Sequence, residues 1–296
     1  MVLWVFFLWL VLAPSSFAAE DVPSPAPVGA LQLNAAKQLQ WKPEDQALEA
    51  IGKVNLTYKG FVLQANRARL MYQGDGAAPP QNPTSAPDMT AIRAFDLEGA
   101  VVLKNPLYEI TCQRARYQFS DQRLHLTGNP VVVKNTRDTA KIWGTVTVDL
   151  KHSRIDGLGP VHLSRETYDV KGQDMTLIFL PWDLSQLQNA TLSTAAILRD
   201  VVLTYPDLNV TGNHGLYEQG PQTVTLTSNV IITRQNSVIR TEKAVLDLTT
   251  RRVRLSSPNQ PVTGNIHVPD FEKTKPKDTP NPQPKDTPNP QPKDTP

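Results

Sequence analysis

Cysteine is almost absent: Cys112 is the only one in 296 residues. No intramolecular disulfide can form, so nothing covalent staples the fold. Cys112 lies in a strand-like run between Ile110 and Arg114. With no base nominated nearby, it reads as a small buried apolar residue. An excess of one charge is missing too. There are 30 Lys and Arg against 28 Asp and Glu, a net charge of +2. A nucleic-acid binder carries a marked basic excess, so that class is excluded. The five histidines (His125, His152, His162, His214, His267) show no HxH or HExxH spacing. A Gly-rich phosphate loop and a GxSxG elbow are lacking as well. No metal or cofactor is expected. Helical periodicity is absent apart from an ambiguous segment around 184–198.

What the chain has is a pattern written twice, 100 residues apart. YQFSDQRLHLTGN carries Tyr117, Gln122, Leu124, Leu126, Thr127 and Asn129. YEQGPQTVTLTSN carries Tyr217, Gln222, Val224, Leu226, Thr227 and Asn229. A second echo follows each, DLKHSRI from Asp149 and DLTTRRV from Asp247. Self-similarity at fixed spacing points to stacked supersecondary units. A finer period of thirty residues links Val101, Val131 and Val161, each just after a Gly or Asn. Arg67-Ala68-Arg69 recurs as Arg114-Ala115-Arg116. Each thirty-residue unit has room for two or three strands of ~5–6 residues.

The runs alternate with period two. Val54, Leu56 and Tyr58 oppose Asn55 and Thr57; Leu124 and Leu126 oppose Arg123 and His125; Val146, Val148 and Leu150 oppose Thr147 and Asp149. Such alternation predicts sheets with one apolar face and one polar face. Gly128-Asn129-Pro130, Asp156-Gly157 and Gly159-Pro160 read as turns between the runs. The expected class is all-β.

Residues 1–19 carry an apolar run, MVLWVFFLWLVLA, then Pro14 and a small-residue site at Ala18-Ala19. This predicts a cleaved signal peptide, although no Lys or Arg precedes the run. Thirteen residues fall short of the ~20 that span a bilayer, and no Cys follows to make a lipoprotein. Residues 20–30 form a linker, and 74–88 (GDGAAPPQNPTSAPD) a Pro-rich loop. The octapeptide PKDTPNPQ repeats to the end, so 271–296 reads as an extended tail unable to pack a core. Three sequons, at Asn55, Asn189 and Asn209, are chance matches in Thr-rich strands.

Two stretches, ALEAIGKVNLTYKGFVLQANRARLMY (47–72) and FDLEGAVVLKNPLYEITCQRARYQF (95–119), resemble the LptA/OstA family of periplasmic lipopolysaccharide-transport proteins. The mark of that family is Gly-x-Val strands alternating with Ala-x-Tyr strands. From Gly215 through VIITRQNSVIRTEKAVLDLTTRRVRLSSPNQPV to Val262 the chain also resembles the LptC branch. The resemblance implies an open, twisted β-jellyroll, here as two consecutive units, 31–165 and 166–270. It implies a groove lined by the apolar strand faces, in which lipid A acyl chains lie while the sugars project outward. At about 0.8 kcal/mol per buried CH₂, acyl chains need no specific polar contact to stay there.

Parity nominates the lining: Val54, Leu56, Tyr58, Leu63, Val101, Leu103, Tyr117, Phe119, Leu124, Leu126, Val131, Val133, Val146, Val148 and Leu150. For each, plain core packing is the competing role. Arg67, Arg69, Arg114 and Arg116 flank the strands, either as a solvated face or as phosphate ligands. Exposed end strands near 31–41 or 47–56 and near 259–268 would pair with inner- and outer-membrane lipopolysaccharide-transport partners, or head to tail with another copy. A carbohydrate-active or structural β-repeat protein is the alternative. Such an enzyme needs paired carboxylates on one inward patch, whereas Asp96, Asp149 and Asp247 fall in turns or on the polar parity.

Overall fold

The computed structural model describes residues 32–58, 60–73, 92–166, 168–180, 191–235, 237–247, 249–250, 252–258 and 261–265. The signal peptide, the linker, the Pro-rich loop and the repeat tail lie outside the described residues.

Among the described residues, sixteen strands form one antiparallel sheet. They are β1 (Gln32–Asn34), β2 (Gln38–Lys42), β3 (Ala47–Tyr58), β4 (Phe61–Tyr72), β5 (Ile92–Lys104), β6 (Glu109–Gln118), β7 (Arg123–Lys134) and β8 (Asp138–Asp149). The rest are β9 (Arg154–Arg165), β10 (Tyr168–Phe179), β11 (Leu192–Tyr205), β12 (Leu208–Glu218), β13 (Thr223–Arg234), β14 (Ser237–Asp247), β15 (Arg252–Ser256) and β16 (Thr263–Asn265). From β3 to β15 each strand pairs with the next, a pure meander. β1 and β2 both pair with β3, and β15 and β16 both pair with β14. No α-helix occurs among the described residues. The fold is an all-β, open, jellyroll-like sheet. Pairing runs unbroken through Tyr168↔Arg165, so the sheet is continuous across the 165/166 line. Residues 192–198, in the segment of ambiguous periodicity, belong to β11.

The strands are twice the expected length, and the reason corrects the reading of the turns. Gly128-Asn129-Pro130 lies inside β7, and Asp156-Gly157 and Gly159-Pro160 lie inside β9. Gly128 to Val131 forms a β-bulge, where one strand carries extra residues against its neighbour and bends. Register shifts recur at this level along the sheet: Ile51/Val54, Glu98/Val101, Gly128/Val131, Leu198/Val201 and Thr227/Val230. The local backbone is left-handed at Gly52-Lys53, Gly99-Ala100, Gly159, Arg199-Asp200 and Ser228-Asn229. A valine follows each of these bends. Val54, Val101, Val131, Val161, Val201 and Val230 are all at most 3% exposed. The thirty-residue period is therefore a hairpin of two bent strands of about twelve residues, not a set of short ones. Turn chemistry marks mid-strand bends because both need the same uncommon backbone conformations.

The true turns carry their own devices. Asn105 Oδ1 accepts from the backbone N–H groups of Leu107 and Tyr108 at 2.9 and 2.6 Å. Thirty residues on, Asn135 Oδ1 accepts from Arg137 and Asp138 at 2.8 and 2.7 Å. At the opposite strand ends, Asp149 Oδ1 accepts from His152 N–H at 3.0 Å, and Asp247 Oδ1 from Thr249 and Thr250. The DLKHSRI and DLTTRRV echo is a turn-capping aspartate, repeated.

Candidate functional site

The two sides of the bend enclose an apolar cavity of about 270 Å³ over strands β4 to β10. That approaches the ~300 Å³ lower end of ligand sites. Period-two alternation sends one side chain in two to it, and the bend brings both halves of each strand around the same space. One wall comes from the halves beyond the bend: Phe61, Leu63, Leu103, Ile110, Val133, Ala140 and Leu163. The facing wall comes from the other halves: Phe95, Tyr117, Leu124, Val148, Leu150, Ile155, Leu177 and Phe179. Ile142, Val146 and Met175 sit by the bend. Phe95, Tyr117 and Phe119 form an aromatic cluster with ring centroids 4.8 to 6.2 Å apart.

The fifteen residues nominated from sequence divide between cavity lining and closed core. Leu63, Leu103, Tyr117, Leu124, Val133, Val146, Val148 and Leu150 line the cavity. Val54, Leu56, Val101, Leu126 and Val131 are at most 1% exposed and pack into the core instead. Phe119 packs on the core beside Tyr117, and the side chain of Tyr58 lies outside the described residues. Parity separates inside from outside, but it does not separate core from cavity. Ile155, Leu163, Tyr168, Leu177 and Phe179 escape the sequence reading. Their alternation continues through β9 and β10, where Gly157 and Gly159 read as a break.

The flanking arginines occupy the opposite face, and three of them are engaged with acids. Arg67 bonds Glu49, which also holds Lys42 at 2.7 Å; Arg69 meets Asp45 at 2.7 Å; Arg114 Nε meets Asp96 at 2.8 Å. Arg67, Arg69 and Arg114 are thus paired with carboxylates of the chain itself on the face turned away from the cavity. Arg116 is exposed on the same outer face. The pairs also explain the repeated Arg-Ala-Arg, in which the first Arg binds an acid on the preceding strand while Ala68 and Ala115 are buried. Burial pushes the Cys112 thiol up to about 11, so it stays protonated and inert at neutral pH.

Polar groups gather at one rim. Asn105, Tyr108, Asn135, Asp138 and Tyr168 share inward parity there, at the turns joining β5–β6, β7–β8 and β9–β10. Asp138 accepts from Arg165 Nη2 at 2.7 Å and from Asn135 Nδ2 at 3.1 Å. The Arg165 guanidinium lies 5.6 Å from the centre of the Tyr168 ring. At the other rim, Tyr117 is the one polar side chain lining the cavity among the described residues. No group of three or more metal-ligating side chains occurs among the described residues.

Fold and cavity together define a class: an open antiparallel sheet, bent along its midline, that holds an unfilled apolar space between its halves. No family model matches the chain, and no curated protein matches it. Among solved structures the chain is similar to LptH, described as the LptA-homologous periplasmic component of the lipopolysaccharide transport device of Pseudomonas aeruginosa. Identity is 15% and the TM-score 0.35, over 44% of this chain and 95% of that one.

Proposed function

We propose that this protein is a non-enzymatic carrier that shields the acyl chains of lipopolysaccharide in its apolar cavity as the lipid crosses the periplasm. The observation that carries the reading is the cavity itself. A folded sheet ordinarily fills the space between its halves with side chains at close packing, and here that space stays open and apolar. Acyl chains gain about 0.8 kcal/mol per CH₂ on entering it. The choice of lipid and compartment rests on the Gly-x-Val and Ala-x-Tyr strand resemblance. Asp138 is the only acid lining the cavity among the described residues, and it is bound to Arg165, which supports binding rather than hydrolysis.

The bridging role is carried by the two ends of the sheet, where main-chain groups can pair with a neighbouring chain. Photo-crosslinkable side chains test the cavity. At Val148 they should capture lipopolysaccharide, and at the adjacent outward Thr147 they should not. Mass spectrometry of the purified protein should find lipid A fatty acids. Equal capture at both positions would refute a one-sided groove.

A further inference from the structure

The cavity has a polar end and an apolar end, and this asymmetry would orient any amphiphile lying in it. We infer that the rim at the β5–β6, β7–β8 and β9–β10 turns is a headgroup site for the hydroxyl-rich sugar of a glycolipid, read chiefly by Tyr108. The inference rests on the acyl-chain reading above and adds to it which way the lipid lies and what holds its head.

Three observations carry it. First, the inward charges at this rim cancel: Asp138 is bound by Arg165, and Asn135 donates to the same carboxylate. A wall without net charge has no Coulombic preference for phosphate, whereas a neutral set of donors and acceptors beside aromatic rings suits sugar hydroxyls. Second, Tyr108 is half-buried with its side chain on the cavity, and its hydroxyl has no hydrogen-bond partner among the described residues. That hydroxyl is open to solvent and can exchange water for a ligand hydroxyl. Burial, with the Asp138 charge adding to it, raises the pKa of this phenol, so it remains a donor at neutral pH. Third, the rim is built rather than incidental. Asn105 and Asn135 each fold their turn by accepting two backbone N–H groups, at equivalent places thirty residues apart.

The alternative occupant of the rim is a phosphate. Lys134 borders the cavity here, but it is exposed and on the outward parity next to Val133. Its cross-strand neighbour Glu109 has a carboxylate oxygen 3.7 Å from Nζ of Lys104, which is likewise outward next to Leu103. Alternation thus directs both ammonium groups to the outer face.

The test uses the full chain and a dansyl-labelled fatty acid, displaced in turn by lipid A, by dephosphorylated lipid A and by phosphatidylglycerol. Lipid A with and without its phosphates should compete equally, and phosphatidylglycerol less well. Tyr108→Phe, which keeps the ring on the cavity, should weaken both forms of lipid A by roughly two- to tenfold, the value of one neutral hydrogen bond, and by more than it changes the fatty acid's own affinity. Loss of competition on dephosphorylation, or a Tyr108→Phe protein that binds lipid A unchanged, overturns the sugar site and leaves the acyl cavity standing. Failure of the fatty acid to bind at all overturns both.

Discussion

At the scale of single residues, chemistry goes into turns and the outer face rather than into a reaction. Asp149 shows how. Burial pushes its carboxyl up, but hydrogen bonds from the His152 ring and backbone N–H and from Arg123 outweigh that and bring it down to about 2. An unfolded aspartate titrates near ~3.9. The folded value is the lower one, so this carboxylate contributes stability that is fully present above about pH 4 and is lost as pH falls from there toward about 2. Asp149→Asn should therefore lower the urea midpoint at pH 7, and the gap from wild type should narrow steadily below pH 4. A gap that persists undiminished at pH 3 would show that the charge of Asp149 is not what stabilises this turn. Leu124 and Leu126 make a second point at this scale. Two residues apart on one parity, one lines the open cavity and the other is 1% exposed in the core.

At the scale of elements, the unit is a bent hairpin, and the bend is a requirement on the backbone. Where β8 and β9 cross it, Gly144 and Gly159 let the chains approach. A Cβ on Gly144 would lie 2.1 Å from the Leu158 carbonyl oxygen, and one on Gly159 would lie 2.4 Å from that of Trp143. Gly159 also holds a φ of +110°. Gly144→Ala must push two backbones apart at the floor of the cavity and should cost about 1–3 kcal/mol or more, as overpacking does. Gly220→Ala, with nothing within 4 Å of the new atom, should change stability by under about 0.5 kcal/mol. Chemical denaturation of the two variants decides it. Equal stabilities would mean that the bend tolerates a side chain and that its glycines are incidental.

At the scale of the whole sheet, what matters is that it has ends. β3 is covered by β1 and β2 on one side and β4 on the other, so of the two stretches expected to be the edge, 31–41 or 47–56, the second is not exposed as one. The outermost strands at that end are β1 and β2; at the other they are β15 and β16. Ile266 and the residues after it lie outside the described residues. Leu39 on β2 is 40% exposed, and Val253 on β15, between Arg252 and Arg254, is 45% exposed. Each end thus presents an apolar side chain where natural edges favour charge as a guard against pairing. If the ends join copies or partners, the double variant Leu39→Lys with Val253→Lys should lower concentration-dependent association in light scattering while circular dichroism stays that of a folded sheet. A folded double variant that associates as wild type does would place the joint elsewhere.

The all-β class was legible in the sequence, because period-two alternation is a local property that each strand writes for itself. Leu124, Leu126, Val146 and Val148 all fall on the inward side that their parity assigns. The thirty-residue period was legible too, in Val101, Val131 and Val161 and in the recurring Asn and Asp of the turns. What sequence could not separate was a bend from a turn at Gly128-Asn129-Pro130 and Gly159-Pro160. Both call for the same backbone freedom, and only pairing with the neighbouring strand shows that the ladder continues past the break. Nor could it divide core from cavity. Leu126 and Val131 are closed in the core while their cross-strand partners Val146 and Ile142 line the cavity, a distinction set by how the whole sheet packs around each position. That packing involves many strands at once, so no single strand's pattern contains it.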